Sequence, residues 1–383
     1  MNKPTLVQGS RQHQIITWAA YAALLIIGLA LPFVLPAFRV FQFTTVIVFA
    51  IAVLGLNMLT GYNGQVSLGH SFFFAIGAYT CAILIDTYGW PYLGSLIPAF
   101  ILTFVLGFLF GIPALRLEGL YLALVTLALA VVTPPFIKRF GDLTGGSQGI
   151  VVSKPQAPDW TGLANDQWQY LICFSIGTVM FIAARNLMRG RVGRAVVSVR
   201  DNEIAAETMG INLAIFKTLT FAYSAAFAGV AGGLYVFVVG FVSPESFTVL
   251  LSIELLAGAV VGGLATTLGP LFGALFTRFM PVFAADINDA APGLLYGVAL
   301  ILVMFLMPGG FVGLFRKVRG WLVDYRPPDI TNGTEAAGDE TGPGGEAEMA
   351  FGGPRDDGAG PGGENGLGDG TVAPTEQTTG PER

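Results

Sequence analysis

Phe41-Gln-Phe-Thr-Thr-Val-Ile-Val-Phe-Ala-Ile-Ala-Val-Leu-Gly-Leu-Asn-Met-Leu-Thr60 is a stretch of 20 residues without one charged side chain. A helix of this length reaches across the roughly 30 Å of hydrocarbon in a bilayer. Lipid offers no partner to unpaired backbone groups, so such a segment must be helical. Similar windows lie at roughly 16–38, 66–86, 92–113, 118–137, 168–187, 213–241, 249–267, 269–285 and 292–314. The sequence therefore predicts an all-α polytopic membrane protein with about ten transmembrane helices, although the two windows that meet near residue 269 could form one broken unit.

Composition supports the same class. Apolar residues make up 53% of the chain and charged residues 12%, and the mean hydropathy is +0.66. Soluble domains carry about 25% charged residues. Residues 326–383 hold 12 acidic and 3 basic side chains, so the pI of 5.1 reflects this tail and does not indicate a nucleic-acid partner. The tail is rich in Gly and Pro and is predicted to be disordered.

The distribution of basic residues predicts the orientation in the membrane. With ten spans, 12 Lys and Arg residues fall on the side of the N-terminus and 5 on the opposite side. Loops rich in Lys and Arg stay in the cytoplasm, so both termini are predicted to be cytoplasmic. The predicted division is a cytoplasmic N-terminus at 1–15, a transmembrane domain at 16–320 that contains a cytoplasmic loop at 188–212, and the tail at 326–383.

The loop at 188–212 is the most charged part of the membrane domain and contains one short predicted helix. Asp201 is a suitable N-cap, and Glu203 lies in the first turn, where the helix dipole favours an anion. Gly210 is well placed to end the helix after about eight residues. A short capped helix between two spans can dock in the groove of a partner, and the plainer alternative is a helix that only joins the spans.

Glycine and polar residues interrupt the hydrophobic pattern between the second and third windows, in Gly61-Tyr-Asn-Gly-Gln-Val-Ser-Leu-Gly-His70. Irregular backbone at membrane depth is tolerated beside a cavity, and transporters use broken helices of this kind. The alternative is an ordinary inner turn in which His70 bonds to a neighbouring helix. The candidates for a solute pathway are Asn57, Asn63, Gly64, Gln65, Ser67, His70 and Glu254.

Few ionisable residues lie inside the apolar windows, and each is a functional candidate. Glu254 and Arg278 could pair with neighbours or extend toward the membrane surface. Alternatively, Glu245 and Arg278 could form the outer rim on which a soluble binding protein docks. The two histidines, His13 and His70, are far apart in sequence, and no catalytic set or metal-ligand spacing appears. We therefore expect no enzyme activity in this chain.

Several stretches together resemble a known family. Glu203-Ile-Ala-Ala-Glu-Thr-Met-Gly210 is similar to the cytoplasmic "EAA…G" loop of bacterial ABC importer permeases. The wider pattern resembles the Liv-type permeases for branched-chain amino acids, over about 40–315 and in the family's order. The other stretches are Gly55-Leu-Asn57, 61–70, Leu143-Thr-Gly-Gly-Ser-Gln-Gly-Ile150, Val261-Gly-Gly-Leu264 and Leu268-Gly-Pro270 with Gly273. One departure is Ala265, where the family more often has Gly.

The resemblance implies a role for the inner loop as a coupling helix that docks on an ATP-hydrolysing subunit. The positions carried over are Arg194, Arg200, Glu203, Ala206, Glu207 and Gly210. None of the five lysines follows a glycine, which excludes a phosphate-binding G-x-x-x-x-G-K-[ST] loop. ATP is therefore expected on partner subunits, and this chain is expected to hold no cofactor.

The resemblance also implies a complete transporter in the bacterial inner membrane. Its parts are two cytoplasmic ATPase subunits, a second homologous permease and an extracytoplasmic substrate-binding protein. Branched-chain amino acids are the expected substrate, and close relatives handle urea, short amides or aromatic acids. An ion-coupled secondary transporter or a channel is the alternative from another class, and it leaves the capped inner helix unexplained. A membrane anchor or assembly factor leaves the polar segment at 61–70 without a role.

Overall fold

The computed structural model describes residues 5–7, 11–117, 119–287, 292–307, 309–322 and 324–326. The acidic tail from residue 327 onward lies outside the described residues, as do parts of the N-terminus. The helices are α1 Arg11–Val34, α2 Ala37–Asn57, α3 His70–Asp86, α4 Tyr92–Ala114, α5 Leu120–Arg139, α6 Gly141–Thr144, α7 Asn165–Arg189, α8 Arg191–Asp201, α9 Glu203–Thr208, α10 Leu213–Val239, α11 Val249–Gly262, α12 Gly269–Ile287, α13 Pro292–Leu306 and α14 Gly310–Leu322.

Short elements join these helices. A π-helical turn at Met58–Tyr62 continues α2, and 3₁₀ turns lie at Asp159–Thr161 and Pro244–Phe247. The strands of the described residues are β1 Thr5–Val7, β2 Ile150–Val151, β3 Phe241–Val242 and β4 Asp324–Arg326. Strand β1 pairs in parallel with β4, and β2 pairs with β3 in antiparallel fashion. The second pair ties the long loop after α5 to the end of α10.

The lengths of the helices fit a membrane protein. Five helices of the described residues are long and apolar enough to cross a membrane, at Ala37–Tyr62, Tyr92–Ala114, Leu120–Arg139, Asn165–Arg189 and Leu213–Val239, and the stretch Gly293–Phe315, which takes in α13 and the first part of α14, has the same length and apolar character. Shorter apolar helices lie at Ala22–Val34, His70–Asp86, Val249–Gly262 and Gly269–Ala285. The predicted all-α polytopic class is therefore supported, while the count of ten spans stays a prediction. The two windows near residue 269 are separate helices, α11 and α12, joined by a turn.

Helix α10 lies at the centre and packs against α2, α3 and α4. Helices α2 and α10 are buried along most of their length, whereas α4, α5 and α7 expose apolar side chains such as Ile97, Leu124 and Val179. Exposed apolar surface of this extent suits contact with lipid rather than water. Helix α2 runs antiparallel to α10, because Gly55 meets Ser224 and Phe49 meets Tyr235.

Small residues allow the central helices to pack closely. A Cβ atom on Gly77 of α3 would lie 2.0 Å from the carbonyl oxygen of Gly229 in α10. A Cβ atom on Gly232 would lie 1.9 Å from the carbonyl oxygen of Phe74. Any side chain at these positions would push α3 and α10 apart. Close backbone contact through small residues replaces the hydrophobic driving force that lipid does not supply.

Candidate functional site

The N-cap of helix α9 lies one residue later in the chain than the sequence analysis predicted. Oδ1 of Asn202 accepts a hydrogen bond from the Ala205 N–H over 3.0 Å, so Asn202 is the N-cap. The prediction of Asp201 as the cap is wrong, because Asp201 ends α8 and its carboxylate accepts two hydrogen bonds from Arg200 at 2.7 and 2.9 Å. The helix has 6 residues rather than about eight.

The other end of α9 closes at Gly210, as predicted. Gly210 has a φ of +81°, which residues with a Cβ atom rarely adopt. Its N–H donates to the carbonyl of Glu207 at 2.9 Å, and the Ile211 N–H donates to the carbonyl of Ala206 at 3.0 Å. These two bonds form a Schellman motif and satisfy carbonyls that would otherwise lack partners. The short helix is therefore rigid at both ends.

The two faces of α9 differ in exposure. Ala206 is buried against the rest of the protein. Ile204 and Met209 are 78% and 84% exposed, and Glu207 is exposed beside them. A short helix with exposed apolar side chains around one carboxylate offers a surface to a partner. Sequence reasoning gave Glu207 this role but did not select Ile204 and Met209.

Glu203 points toward the membrane domain instead. Its Oε2 accepts a hydrogen bond from Nζ of Lys217 at 2.5 Å. Lys217 lies in the first turns of α10, and its side chain is 10% exposed while that of Glu203 is 42% exposed. A nearly buried ammonium requires a partner of opposite charge. The ion pair therefore attaches α9 to the start of α10.

Arg200 connects the inner loop to the interrupted segment at 61–70. Its Nη1 donates to the backbone carbonyl of Gly61 over 3.0 Å, while Nε and Nη2 hold Asp201. Gly64, with a φ of +77°, lies beside the same side chain, and a Cβ atom there would be 2.8 Å from Cγ of Arg200. The structure thus brings together two groups of candidates that the sequence identified separately.

The six predicted coupling residues do not form one surface. Arg194 is exposed, and its guanidinium lies 3.5 Å from the backbone oxygen of Arg189. Arg200 and Glu203 contact the membrane domain, and Ala206 and Gly210 shape α9. Among the six, Glu207 is the exposed carboxylate on α9 itself.

Asn57, at the end of α2, holds the turn between α11 and α12. Its Nδ2 donates to the carbonyl of Thr266 at 2.7 Å, and its Oδ1 accepts from the Ala265 N–H at 3.0 Å. Ala265 has a φ of +55°, the one positive value at a non-glycine position in the described residues. Glycine adopts this conformation with less strain, so the Gly expected here from the resemblance would suit the turn.

His70 is hydrogen-bonded through both ring nitrogens. Nε2 lies 2.7 Å from Oγ of Ser224 in α10, and Nδ1 lies 3.2 Å from Oγ of Ser67. Ser224 gives its own proton to the carbonyl of Gly55 at 2.6 Å, so Nε2 of His70 is the donor and Nδ1 the acceptor. This network matches the plainer alternative for His70, a satisfied bond to a neighbouring helix.

Asn63 and Gln65 differ from these neighbours. Both side-chain polar atoms of Asn63, and Oε1 of Gln65, are buried and have no hydrogen-bond partner among the described residues. Buried polar groups in proteins are nearly always paired with protein or ordered water. Within the interrupted segment, these three side-chain atoms therefore keep unused hydrogen-bonding capacity among the described residues.

Glu254 lies apart from the other pathway candidates. The interrupted segment is near the Leu213 end of α10, whereas Glu254 in α11 pairs with Arg278 in α12 near the Val239 end. The guanidinium of Arg278 also lies over the ring of Phe49, 3.7 Å from its centroid. Glu245 pairs instead with Lys138, at 2.6 Å, on the exposed surface.

Sequence reasoning missed several partners. Ser224 and Lys217 both lie inside the window at 213–241, and a polar residue in an apolar run indicates a buried hydrogen-bond or charge partner. Phe49 carried no such signal, since it is one of 30 phenylalanines. Cys81 and Cys173 are buried free thiols.

Comparison with known families identifies the family of this chain. A family profile described as "Branched-chain amino acid transport system / permease component" matches residues 38–307. The chain belongs to this family. The matched part of the permease contains the interrupted segment, the inner loop with α9, and the Glu254–Arg278 pair.

Individual relatives are similar over most of the permease. It is 33% identical over 317 residues to the "High-affinity branched-chain amino acid transport system permease protein LivM" of Salmonella typhimurium, covering 77% of this chain and 74% of the relative. The protein of the same name from Escherichia coli K12 is 32% identical with the same coverage. A "Probable branched-chain amino acid transport permease protein LivM" of Methanocaldococcus jannaschii is 23% identical over 57% of this chain and 67% of the relative. These relatives are transport permeases.

Proposed function

We propose that this permease is one of two homologous membrane subunits of an ATP-driven ABC importer for branched-chain amino acids. Its family and the names of its relatives support the substrate. The partners are a second permease, two cytoplasmic ATPase subunits and an extracytoplasmic binding protein that delivers the solute. The transporter lies in the bacterial inner membrane, and both termini of this chain lie in the cytoplasm. ATP is bound by the partner subunits, and this chain needs no cofactor.

The observation that carries the proposal is the hydrogen bond between Arg200 and Gly61. Helix α9 docks on an ATPase subunit through Ile204, Glu207 and Met209, whose exposure supports this role. When the ATPase subunits close on ATP, α9 moves with them. Arg200 transmits that movement to the backbone of the interrupted segment.

A second connection reaches the core of the permease. Glu203 holds Lys217 at the start of α10, the most central helix, so a displacement of α9 also pulls on α10. Tightly packed helices shift as whole bodies rather than bend gradually. The interrupted segment and α10 together then change access to the pathway, and ATP hydrolysis with product release resets them.

Under this proposal, the candidate residues belong to an inner and an outer part of the pathway. Asn63, whose buried side-chain amide has no hydrogen-bond partner among the described residues, and Gln65, whose Oε1 has none, line the inner part of the pathway beside Arg200. Asn57, Ser67 and His70 keep the surrounding turns in place through the bonds described above. Glu254 lies near the opposite end of α10 and belongs to the outer part.

Transport in proteoliposomes tests the proposed function. The permease is reconstituted with a partner permease, two ATPase subunits and the binding protein, and uptake of radiolabelled L-leucine is measured with ATP supplied on the ATPase side. We expect uptake that requires both ATP and binding protein. Uptake of urea or an amide in place of leucine would redirect the substrate, and leucine uptake driven by an ion gradient without ATP would overturn the proposal.

A further inference from the structure

A cavity of about 260 Å³ lies near the Val239 end of α10, away from the inner loop. Helices α2, α3 and α10 contribute aromatic rings to its wall, α11 and α12 contribute one charged residue each, and the 3₁₀ turn before α11 contributes Phe247 and Glu245. The residues that matter here are Phe49, Phe74, Tyr235, Phe247, Glu254 and Arg278. Its volume lies near the lower end of the roughly 300–1,000 Å³ typical of ligand pockets, so it suits a small molecule.

Of the three charged residues that line the cavity, Glu254 and Arg278 form an ion pair between neighbouring helices, while Glu245 pairs with Lys138. Nη2 of Arg278 contacts Oε1 of Glu254, and both side chains are partly buried. Nε of Arg278 is buried without a hydrogen-bond partner in the part of the chain that the structure describes. The pair therefore leaves part of the guanidinium with hydrogen-bonding capacity for another group.

Burying an ion pair of this kind does not by itself favour stability. Removing two charges from water costs free energy, and a well-packed apolar pair is often as stable or more stable. Ionisable residues within spans therefore point to function. The second partner of Arg278, the ring of Phe49 at 3.7 Å, holds the guanidinium in place without using its hydrogen-bond donors.

The chemistry of the wall selects a ligand class. A guanidinium binds a carboxylate through two parallel hydrogen bonds, and a carboxylate such as Glu254 binds an ammonium. The rings of Phe74 and Phe247 lie 6.1 Å apart by their centroids and present an apolar surface in the same cavity. Adjacent opposite charges beside an apolar surface match a zwitterionic amino acid with an aliphatic side chain.

We propose that Glu254 and Arg278 form a transient binding site for the transported amino acid, with its carboxylate on Arg278, its ammonium on Glu254 and its side chain against Phe74 and Phe247. This proposal rests on the proposed function, which supplies the solute. The amino acid separates the ion pair as it binds and lets it re-form as it leaves, so neither charge is left without a partner. A site of this kind recognises any aliphatic amino acid and adds selectivity for the head group.

Uptake by the reconstituted transporter tests the site. The variants are Glu254→Gln, Arg278→Gln and the double substitution, with Asp86→Asn and Arg39→Gln as matched controls at exposed positions. L-leucine uptake is measured together with ATP hydrolysis stimulated by the binding protein and with the thermal unfolding temperature. We expect at least a tenfold loss of leucine uptake in all three site variants, while stimulated ATP hydrolysis and both controls are retained.

The double substitution separates a binding site from a structural ion pair. A structural pair tolerates joint neutral replacement, so recovery of uptake in the double variant would overturn the site. Competition for binding to the wild-type transporter gives a second readout. Unlabelled L-leucine should displace labelled leucine from the assembled transporter in nanodiscs, measured without binding protein, whereas 4-methylpentanoate, which lacks the amino group, and leucinamide, which lacks the carboxylate, should compete at least tenfold less well. Equal competition by either analogue would also overturn the proposal.

The two proposals fail in different ways. If the wild-type transporter takes up no branched-chain amino acid, the proposed function is wrong. If wild-type uptake is normal and Glu254→Gln and Arg278→Gln match it, only the inference about this cavity is wrong.

Discussion

Arg200 and Gly61 are 139 residues apart in the chain, and Nη1 of Arg200 donates to the carbonyl oxygen of Gly61 over 3.0 Å. The same guanidinium holds Asp201 through its other nitrogens. One side chain therefore fixes the end of α8 and the backbone of the interrupted segment at the same time. Under the proposed function, this relationship gives a physical route between a docking helix and a pathway.

Replacing Arg200 should uncouple ATP hydrolysis from transport. A lysine carries one compact charge and cannot hold Asp201 in two places while reaching Gly61. We expect Arg200→Lys and Arg200→Gln to lower leucine uptake per ATP hydrolysed at least tenfold in proteoliposomes. Arg191→Gln, an exposed arginine in the same loop, serves as control and should behave like wild type. An unchanged ratio in Arg200→Gln would contradict the proposed route.

Charge reversal should separate the roles of Glu203 and Glu207. Glu207→Arg leaves the fold intact, because its side chain is exposed, and should abolish co-purification of the ATPase subunits. Glu203→Arg places a second cation beside the nearly buried Lys217 and should lower the amount of folded permease. The measurements are pull-down of the ATPase subunits and thermal unfolding in detergent.

A double-substitution cycle checks the ion pair itself. Glu203→Gln leaves the Lys217 ammonium without its partner and should cost about 1–2 kcal/mol, discounted because Glu203 is partly exposed. Combining it with Lys217→Met should recover most of that loss. Equal destabilisation by the single and double variants would show that the pair does not stabilise the attachment of α9.

Loss of Asn57 should weaken the turn between α11 and α12. Asn57→Leu removes the hydrogen bonds to the Ala265 N–H and the Thr266 carbonyl, which are partly buried and buried, and each unsatisfied group costs about 1–3 kcal/mol. We expect a total near 2–5 kcal/mol in the unfolding of the purified permease. Asn212→Leu, which removes an exposed helix cap at the start of α10, should cost only about 1 kcal/mol. Similar costs at the two positions would contradict this assignment.

Ala265→Gly should stabilise the permease. A left-handed φ costs a residue with a Cβ atom about 1–2 kcal/mol, and the extra freedom of glycine in the unfolded chain offsets part of that gain. A net gain of roughly 0.5–1 kcal/mol is expected, seen as a higher unfolding temperature. Ala257→Gly, inside α11, should lower stability instead, since glycine weakens a helix interior by about 1 kcal/mol. A lower unfolding temperature in Ala265→Gly would show that the left-handed backbone at Ala265 does not destabilise the permease.

The inner loop shows how far local sequence carries a prediction. Gly210 was predicted correctly as the residue that ends α9, because a glycine after a short helix meets a purely local requirement. The N-cap was placed on Asp201 instead of Asn202, since both residue types cap helices well. The pairing of Asp201 with the adjacent Arg200 decides between them, and that pairing is set by where Gly61 holds the guanidinium.

The candidate pathway residues were selected as one group and separate into three in the structure. Asn57 and His70 serve the fold through bonds to residues 154 or more positions away. The side-chain amide of Asn63 and Oε1 of Gln65 have no hydrogen-bond partner among the described residues. Glu254 belongs to a different cavity. A single sequence gives the polarity of each side chain but not the distant group that satisfies it.

By itself the sequence determined the class of this protein, the location of its long apolar helices, the interruption at 61–70 and the glycine that ends α9. Each follows from residues close together in the chain, because helix length, hydropathy and backbone conformation are local properties. Only the tertiary structure decided that Arg200 meets Gly61, that Glu203 pairs with Lys217 and that Glu254 faces Arg278 beside Phe49. Those partners are chosen by how helices pack, and packing depends on the shape of the whole bundle rather than on any one segment.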